Sequence, residues 1–113
     1  MSQGSPSSAE TVPSLIHQTS ELRAQEQMVE AVSVLERATR LEPENVSAWT
    51  QLGYTLSLAN RFMEAAWAYQ RVVELNPDDA SSWRNLGYAF SMQQRPREAL
   101  IAYDRAIALD SNM

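Results

Sequence analysis

Apolar residues along this chain recur at helical spacing, and the recurrences fall into matching blocks. Trp49, Leu52, Gly53 and Leu56 stand at offsets 0, 3, 4 and 7, which is one face of an α-helix. Trp83, Leu86, Gly87 and Phe90 repeat those offsets. After each run comes a short polar break, Ala59-Asn60-Arg61 or Gln93-Gln94-Arg95, and then a second apolar period. That period holds Ala65, Tyr69 and Val72 in one block and Ala99, Tyr103 and Ala106 in the next, at offsets 0, 4 and 7. Each block therefore predicts two helices joined by a turn too short for anything but antiparallel neighbours.

The punctuation agrees with this division. Pro96 falls at the start of a second helix, where the first turn needs no backbone N–H. Asn76-Pro77-Asp78-Asp79 stops one helix and offers Asp79 as N-cap of the next; Glu42-Pro43-Glu44-Asn45 does the same 34 residues earlier, with Asn45 as the cap. The phrase W-T-Q-L-G-Y at 49–54 returns as W-R-N-L-G-Y at 83–88, again a shift of 34. Such a period marks stacked repeats, which bury their apolar faces only against one another.

A third block stands upstream in worn form. Ala31, Leu35, Ala38 and Pro43 match at the same shift, whereas Leu15 replaces the tryptophan and Gln18-Thr19 the Leu-Gly pair. A helix around residues 11–24 is still expected, as the least stable element. Residues 1–10 carry no apolar period and are predicted to be a flexible tail. The predicted architecture is all-α: a solenoid of three helix-turn-helix repeats at about 12–45, 46–79 and 80–113, the first degenerate.

Gly53 and Gly87 sit inside helices, where glycine costs about 1 kcal/mol against alanine. That cost predicts a helix crossing too close for a β-carbon, with Ala65 and Ala99 as the facing small surface. The tryptophans then fill the wider gap beside each pinch. The repeated phrase thus reads as structural, and recognition falls to the residues interleaved with it.

The pattern W-x2-L-G, then E-A-x3-Y, then P, at a period of 34, resembles the tetratricopeptide repeat family over roughly residues 12–113. Trp49, Leu52, Gly53, Ala65, Tyr69 and Pro77 match it in one repeat; Trp83, Leu86, Gly87, Ala99 and Tyr103 match it in the next. The resemblance implies a right-handed α-α superhelix whose concave side, lined by the first helix of each hairpin, receives a peptide. It places Thr50, Gln51, Tyr54, Ser57 and Leu58 in the groove, followed by Arg84, Asn85, Tyr88, Ser91 and Met92. The worn repeat offers Ile16, His17, Ser20, Arg23 and Ala24. Tyrosine supplies contact area at low entropic cost, and amide side chains pair with a ligand's backbone. The candidate site is therefore Thr50, Gln51, Tyr54, Arg84, Asn85, Tyr88 and Met92.

Co-chaperone members of that family clamp two carboxylates with lysines, asparagines and an arginine. The matching positions here hold Ile16, Ser20, Gln51, Ser81 and Asn85, so a doubly anionic tail would be desolvated without compensation and that subclass is not expected. Trp67 and Ile101 stand where the family usually carries charge on the second helix, giving an apolar strip as a second candidate contact. The chain closes on Asp110-Ser111-Asn112-Met113, which leaves Leu100, Ile107 and Leu109 short of cover. The alternative expectation is accordingly a segment of a longer array, or a homo-oligomer built through that end or through the Trp67/Ile101 strip.

Composition narrows the partner. The 113 residues are 44% hydrophobic and 20% charged, as in one folded domain. Net charge is −5, lysine is absent and the nine arginines are scattered, so no basic stripe for nucleic acid is present. There is no cysteine, and no apolar run near the ~20 residues that span a bilayer. No secretion signal opens the chain, and the cytoplasm is the expected compartment. His17 has no His or Cys companion, Asp78-Asp79 lacks the alternation of a calcium loop, and Gly4, Gly53 and Gly87 build no phosphate loop. No metal, cofactor or enzymatic activity is expected; the expected partner is a protein or peptide.

Overall fold

The computed structural model describes residues 11–24 and 27–111, with 20–24 as backbone only. The tail predicted at 1–10 lies outside the described residues. Six helices follow in order: α1 (Val12–Ala24), α2 (Met28–Leu41), α3 (Val46–Leu58), α4 (Phe62–Leu75), α5 (Ala80–Met92) and α6 (Pro96–Asp110). Each packs against the next, so α1/α2, α3/α4 and α5/α6 form hairpins that stack through α2 on α3 and α4 on α5. The result is an all-α solenoid. None of its helices, among the described residues, is long and apolar enough to cross a membrane.

The helix ends follow from local chemistry. Asn45 accepts a hydrogen bond from the Ala48 N–H at 3.0 Å. Asp79 accepts from the Ser81 N–H at 3.1 Å and from the Ser81 and Ser82 hydroxyls, each at 2.8 Å. Pro96 occupies the first turn of α6. The polar breaks stop α3 and α5 in the same way: Asn60 and Gln94 turn left-handed, with φ of 62° and 58°. The Asn60 and Arg61 N–H groups then donate back to the Ser57 and Leu56 carbonyls, as do those of Gln94 and Arg95 to Ser91 and Phe90. This pair of hydrogen bonds around a left-handed residue satisfies orphan carbonyls of the helix end.

Both tryptophans clip the turn that precedes them. The Trp49 indole N–H donates to the Pro43 carbonyl at 2.7 Å, and that of Trp83 to the Pro77 carbonyl at 2.8 Å. Beyond that the two differ, for Trp49 is buried and Trp83 only half-buried. A single core cluster runs from Val32 and Leu35 on α2 through Leu52, Tyr69 and Val72 to Leu86 and Ala89 on α5. A smaller one joins Val12 and Leu15 of α1 to Ala38 and Ala48. In the worn first helix Thr19 is buried, and its hydroxyl is satisfied by the Leu15 carbonyl at 2.8 Å. Gln18 at the leucine register is exposed, since no described helix covers that side of α1.

The glycine pinch is real, but its partner is not the expected one. A β-carbon on Gly53 would meet three ring carbons of Tyr69 at 2.8–2.9 Å, and one on Gly87 would meet the Tyr103 ring at 2.8–3.1 Å. Ala65 and Ala99 are buried, but the atoms nearest each glycine are those of the tyrosine ring. The aromatic ring at offset 4, not the alanine at offset 0, uses the face that glycine leaves bare.

Candidate functional site

At 3.6 residues per turn, a residue of α3 or α5 and the one two positions on point to roughly opposite sides of the helix. Leu52 and Leu56 turn into the core, while Tyr54 is 51% exposed; Tyr88 is 47% exposed on the equivalent side of α5. Between them opens a cleft of about 230 Å³ lined by Tyr54, Ser57, Leu58, Tyr69, Asn85 and Tyr88. Its walls come from the two first helices and its floor from α4. Of the predicted set, this cleft brings together Tyr54, Asn85 and Tyr88, with Ser57 and Leu58 from the wider groove.

The remaining predicted residues surround it. Thr50 and Gln51 are half-buried on α3, and the Gln51 amide oxygen is enclosed without a hydrogen-bond partner among the described residues. Met92 is exposed one turn beyond Tyr88. Arg84 leans away toward Asp110 at the end of α6, 3.6 Å apart with both side chains more than half exposed. Such an exposed pair is worth little energy, yet it sets the direction of the one cation on α5. In the worn repeat Ile16 is half-buried and His17 exposed; the side chains of Ser20, Arg23 and Ala24 lie outside the described residues. Trp67 and Ile101 are 59% and 68% exposed, on the other side of the stack.

Two contributors escaped the pattern reading. Tyr69 counted as core, and it is buried, but its ring also floors the cleft. The available signal was its hydroxyl: a phenol at a core position requires a polar neighbour where phenylalanine does not. Burial pushes the Tyr69 phenol above its ordinary 10.0; the adjacent Ser57 hydroxyl holds it back in part, and nearby Tyr54 adds to the rise. The phenol therefore stays protonated and remains a donor at neutral pH. Ser57 Oγ is close to it without good hydrogen-bond geometry, and is enclosed and unpartnered among the described residues. The second contributor is Phe62, whose ring meets that of Tyr88 edge-on with centroids 5.9 Å apart. Beside it the Gln93 amide donates to the Phe62 and Ala89 carbonyls at 3.2 and 3.1 Å, linking α5 to the start of α4. The Tyr88 ring is thus braced by Phe62, whose own carbonyl is tied to the end of α5.

The electrostatics are plain. No charged residue lines the cleft, and α3 carries no charge from Val46 to Leu58. Among the described residues no group of three or more His, Asp or Glu is placed to hold a metal ion. What the arrangement offers is a neutral aromatic slot with a phenol, an amide and hydroxyls within it, suited to binding an apolar side chain and its backbone.

Two models of the tetratricopeptide repeat match the chain, one over residues 51–113 and one over residues 34–66. The chain belongs to the tetratricopeptide repeat family. No curated protein sequence matches it significantly. Solved tetratricopeptide repeat structures superpose well. A MamA structure gives a TM-score of 0.83 at 22% identity, covering 92% of this chain and 57% of that one. YrrB, described as a TPR protein with an unusual peptide-binding site, gives 0.80 at 26% identity over 88% of this chain and 52% of its own. The first TPR of Spaghetti (RPAP3), bound to the HSP90 peptide SRMEEVD, gives 0.82 at 20% identity over 93% and 83%. The chain spans 57–60% of the length of five MamA structures it matches and 72% of a sixth. These are likenesses of fold.

Proposed function

We propose that this chain is a cytoplasmic protein-interaction module, an adaptor, scaffold or assembly factor that docks a peptide segment of a partner in its concave groove. One observation carries the reading: two tyrosines 34 residues apart stand half-exposed on either side of an uncharged cleft floored by a third. The ligand places an apolar side chain between Tyr54 and Tyr88, and the Asn85 amide pairs with its backbone. Thr50, Gln51, Arg84 and Met92 extend the contact along the groove. Peptide binding by the YrrB and Spaghetti structures is consistent with this role. The SRMEEVD peptide is acidic, however, and the cleft between the tyrosines carries no charge, with nearby Arg84 already turned toward Asp110; a neutral segment suits it better. An affinity near micromolar, about −8 kcal/mol, is ordinary for so small a groove.

A double Tyr54→Ala, Tyr88→Ala variant tests the reading by affinity capture from the native lysate against wild type. Both side chains are about half exposed, so helical circular dichroism and melting should change little while the captured partner is lost. Survival of capture in that variant removes the groove from the account.

A second reading, homo-oligomerisation, is favoured by the open face of α6. Leu100 and Ile107 are 59% and 63% exposed, whereas Ala66 and Val73, one repeat earlier, are 5% and 3% exposed under α5. The open face carries a cleft of about 510 Å³ between Pro96, Leu100 and Tyr103. Light scattering over a concentration series separates the readings. Association that Leu100→Glu abolishes supports this one, and a monomer at every concentration removes it.

A further inference from the structure

The side of α3 opposite the tyrosines faces a second cleft. It lies between α2 and α4, measures about 350 Å³, and is lined by Glu36, Leu52, Leu56, Met63, Glu64 and Trp67. We propose that this outer cleft is a separate docking site, and that its occupant is a peptide carrying a large apolar side chain beside a cationic one.

The apolar half of that preference comes from the walls. Leu52 and Leu56 form a floor only 2% exposed, while Met63 and Trp67 stand 73% and 59% exposed above it. Trp67 is not loose: its ring meets that of Trp49 edge-on at 5.1 Å with the planes 77° apart, and Trp49 is fixed by its own bond to Pro43. A large aromatic that is exposed yet held in place beside a preformed apolar slot is the kind of group that dominates binding at interfaces.

The cationic half comes from the rim. Glu64 is neutralised by Arg61 through two bonds of 2.7 Å. Glu36, across the cleft, makes no direct ion pair among the described residues, although its charge still acts on Arg61. The rim therefore sets two acids against one arginine and keeps an excess of one negative charge, in a chain of net charge −5. The next repeat supplies an internal comparison. Its equivalent cleft, about 250 Å³, has Gln70 in the place of Glu36 and Ile101 in the place of Trp67, so it lacks the second acid. The stacking of hairpins makes the cleft twice; only the first copy carries the charge that selects a cation.

The test uses the full 113-residue chain, ¹⁵N-labelled, titrated at low salt with two acetylated and amidated pentapeptides, Ala-Arg-Leu-Arg-Ala and Ala-Glu-Leu-Glu-Ala. The Trp67 indole N–H should move with the basic peptide, which should bind about five-fold more tightly than the acidic one, as an exposed charge pair provides. Glu36→Arg, a surface change that leaves packing alone, should reverse that order. Equal affinity of the two peptides, an order unchanged by Glu36→Arg, or no shift at millimolar peptide overturns the proposal. So do shifts centred on Tyr54 and Tyr88, or an indole signal that moves with protein concentration alone, which would assign the cleft to a second copy of the chain.

Discussion

Replacing Gly53 by alanine pits two effects of known sign against each other. Alanine is the better helix former by about 1 kcal/mol. Its β-carbon would lie 2.8–2.9 Å from three carbons of the Tyr69 ring, closer than real β-carbons approach, so the ring must move. Tyr69 is only 3% exposed and wedged between α3 and α5, and overpacking a site of that kind costs about 1–3 kcal/mol. The steric cost should win, for a net loss of about 1 kcal/mol, or roughly 4–8 °C of melting temperature in a domain of this size. Gly87→Ala makes the control. Its clash with Tyr103 is equally short, but that ring is half-buried and borders the open face of α6, where it has room to turn. The helix gain should then survive, and Gly87→Ala should melt at or above wild type. The assay is thermal unfolding followed by circular dichroism for both variants, and for Gly53→Ala in a Tyr69→Leu background. Without the ring, the penalty should vanish, with a coupling of about 1 kcal/mol or more between the positions. A Gly53→Ala protein that melts above wild type, or a coupling near zero, would refute the steric account.

Trp49→Ala should destabilise by about 3–5 kcal/mol, as full truncation of a buried tryptophan does, and Trp83→Ala by clearly less because that ring is only half-buried; chemical denaturation ranks them. The Ser82 hydroxyl foremost, and then Ser81, hold the Asp79 carboxyl below its ordinary value. A depressed folded pKa means that the cap's stabilisation is present above the usual aspartate value of about 3.9 and is lost as pH falls through the folded one. Asp79→Asn, which keeps an acceptor, should flatten that part of the acid limb when melting is followed from pH 6 to pH 2. Gln94 bears a left-handed φ of 58°, which costs a side chain about 1 kcal/mol, so Gln94→Gly should raise the melting temperature by a few degrees.

Most of the fold is legible from the period of 34, because that period records the contact every repeat makes within itself and with its neighbours. It marks Leu35, Ala38, Ala65, Tyr69 and Val72 as core, and all are buried. It also marks Asn45 and Asp79 as caps, and both bond as caps. The period fails where equivalent positions have unequal surroundings. Trp83 and Leu100 are exposed relative to Trp49 and Ala66 because no described helix lies beyond α6 as α5 lies beyond α4. Offsets also say which residues share a helix face without saying how far a side chain reaches, which is how the pinch was ascribed to Ala65 when the Tyr69 ring makes it. The cleft was legible in part, from the repeated tyrosines and Asn85. Its floor was not, since one ring serves the core and the groove together. Nor was the turn of Arg84 toward Asp110, a contact between positions whose pairing no periodicity encodes.

The bond from Gln93 to the Phe62 carbonyl bears on the geometry of the stack. It fastens the α4–α5 joint at one edge, and Tyr69, Val73, Leu86 and Ala89 fill the rest of that joint with close apolar packing. Tyr54 stands on one side of that joint and Tyr88 on the other, so the angle at which the two hairpins pack sets the span between the two tyrosines. The width of the groove and the pitch of the superhelix are thus set by one and the same packing angle.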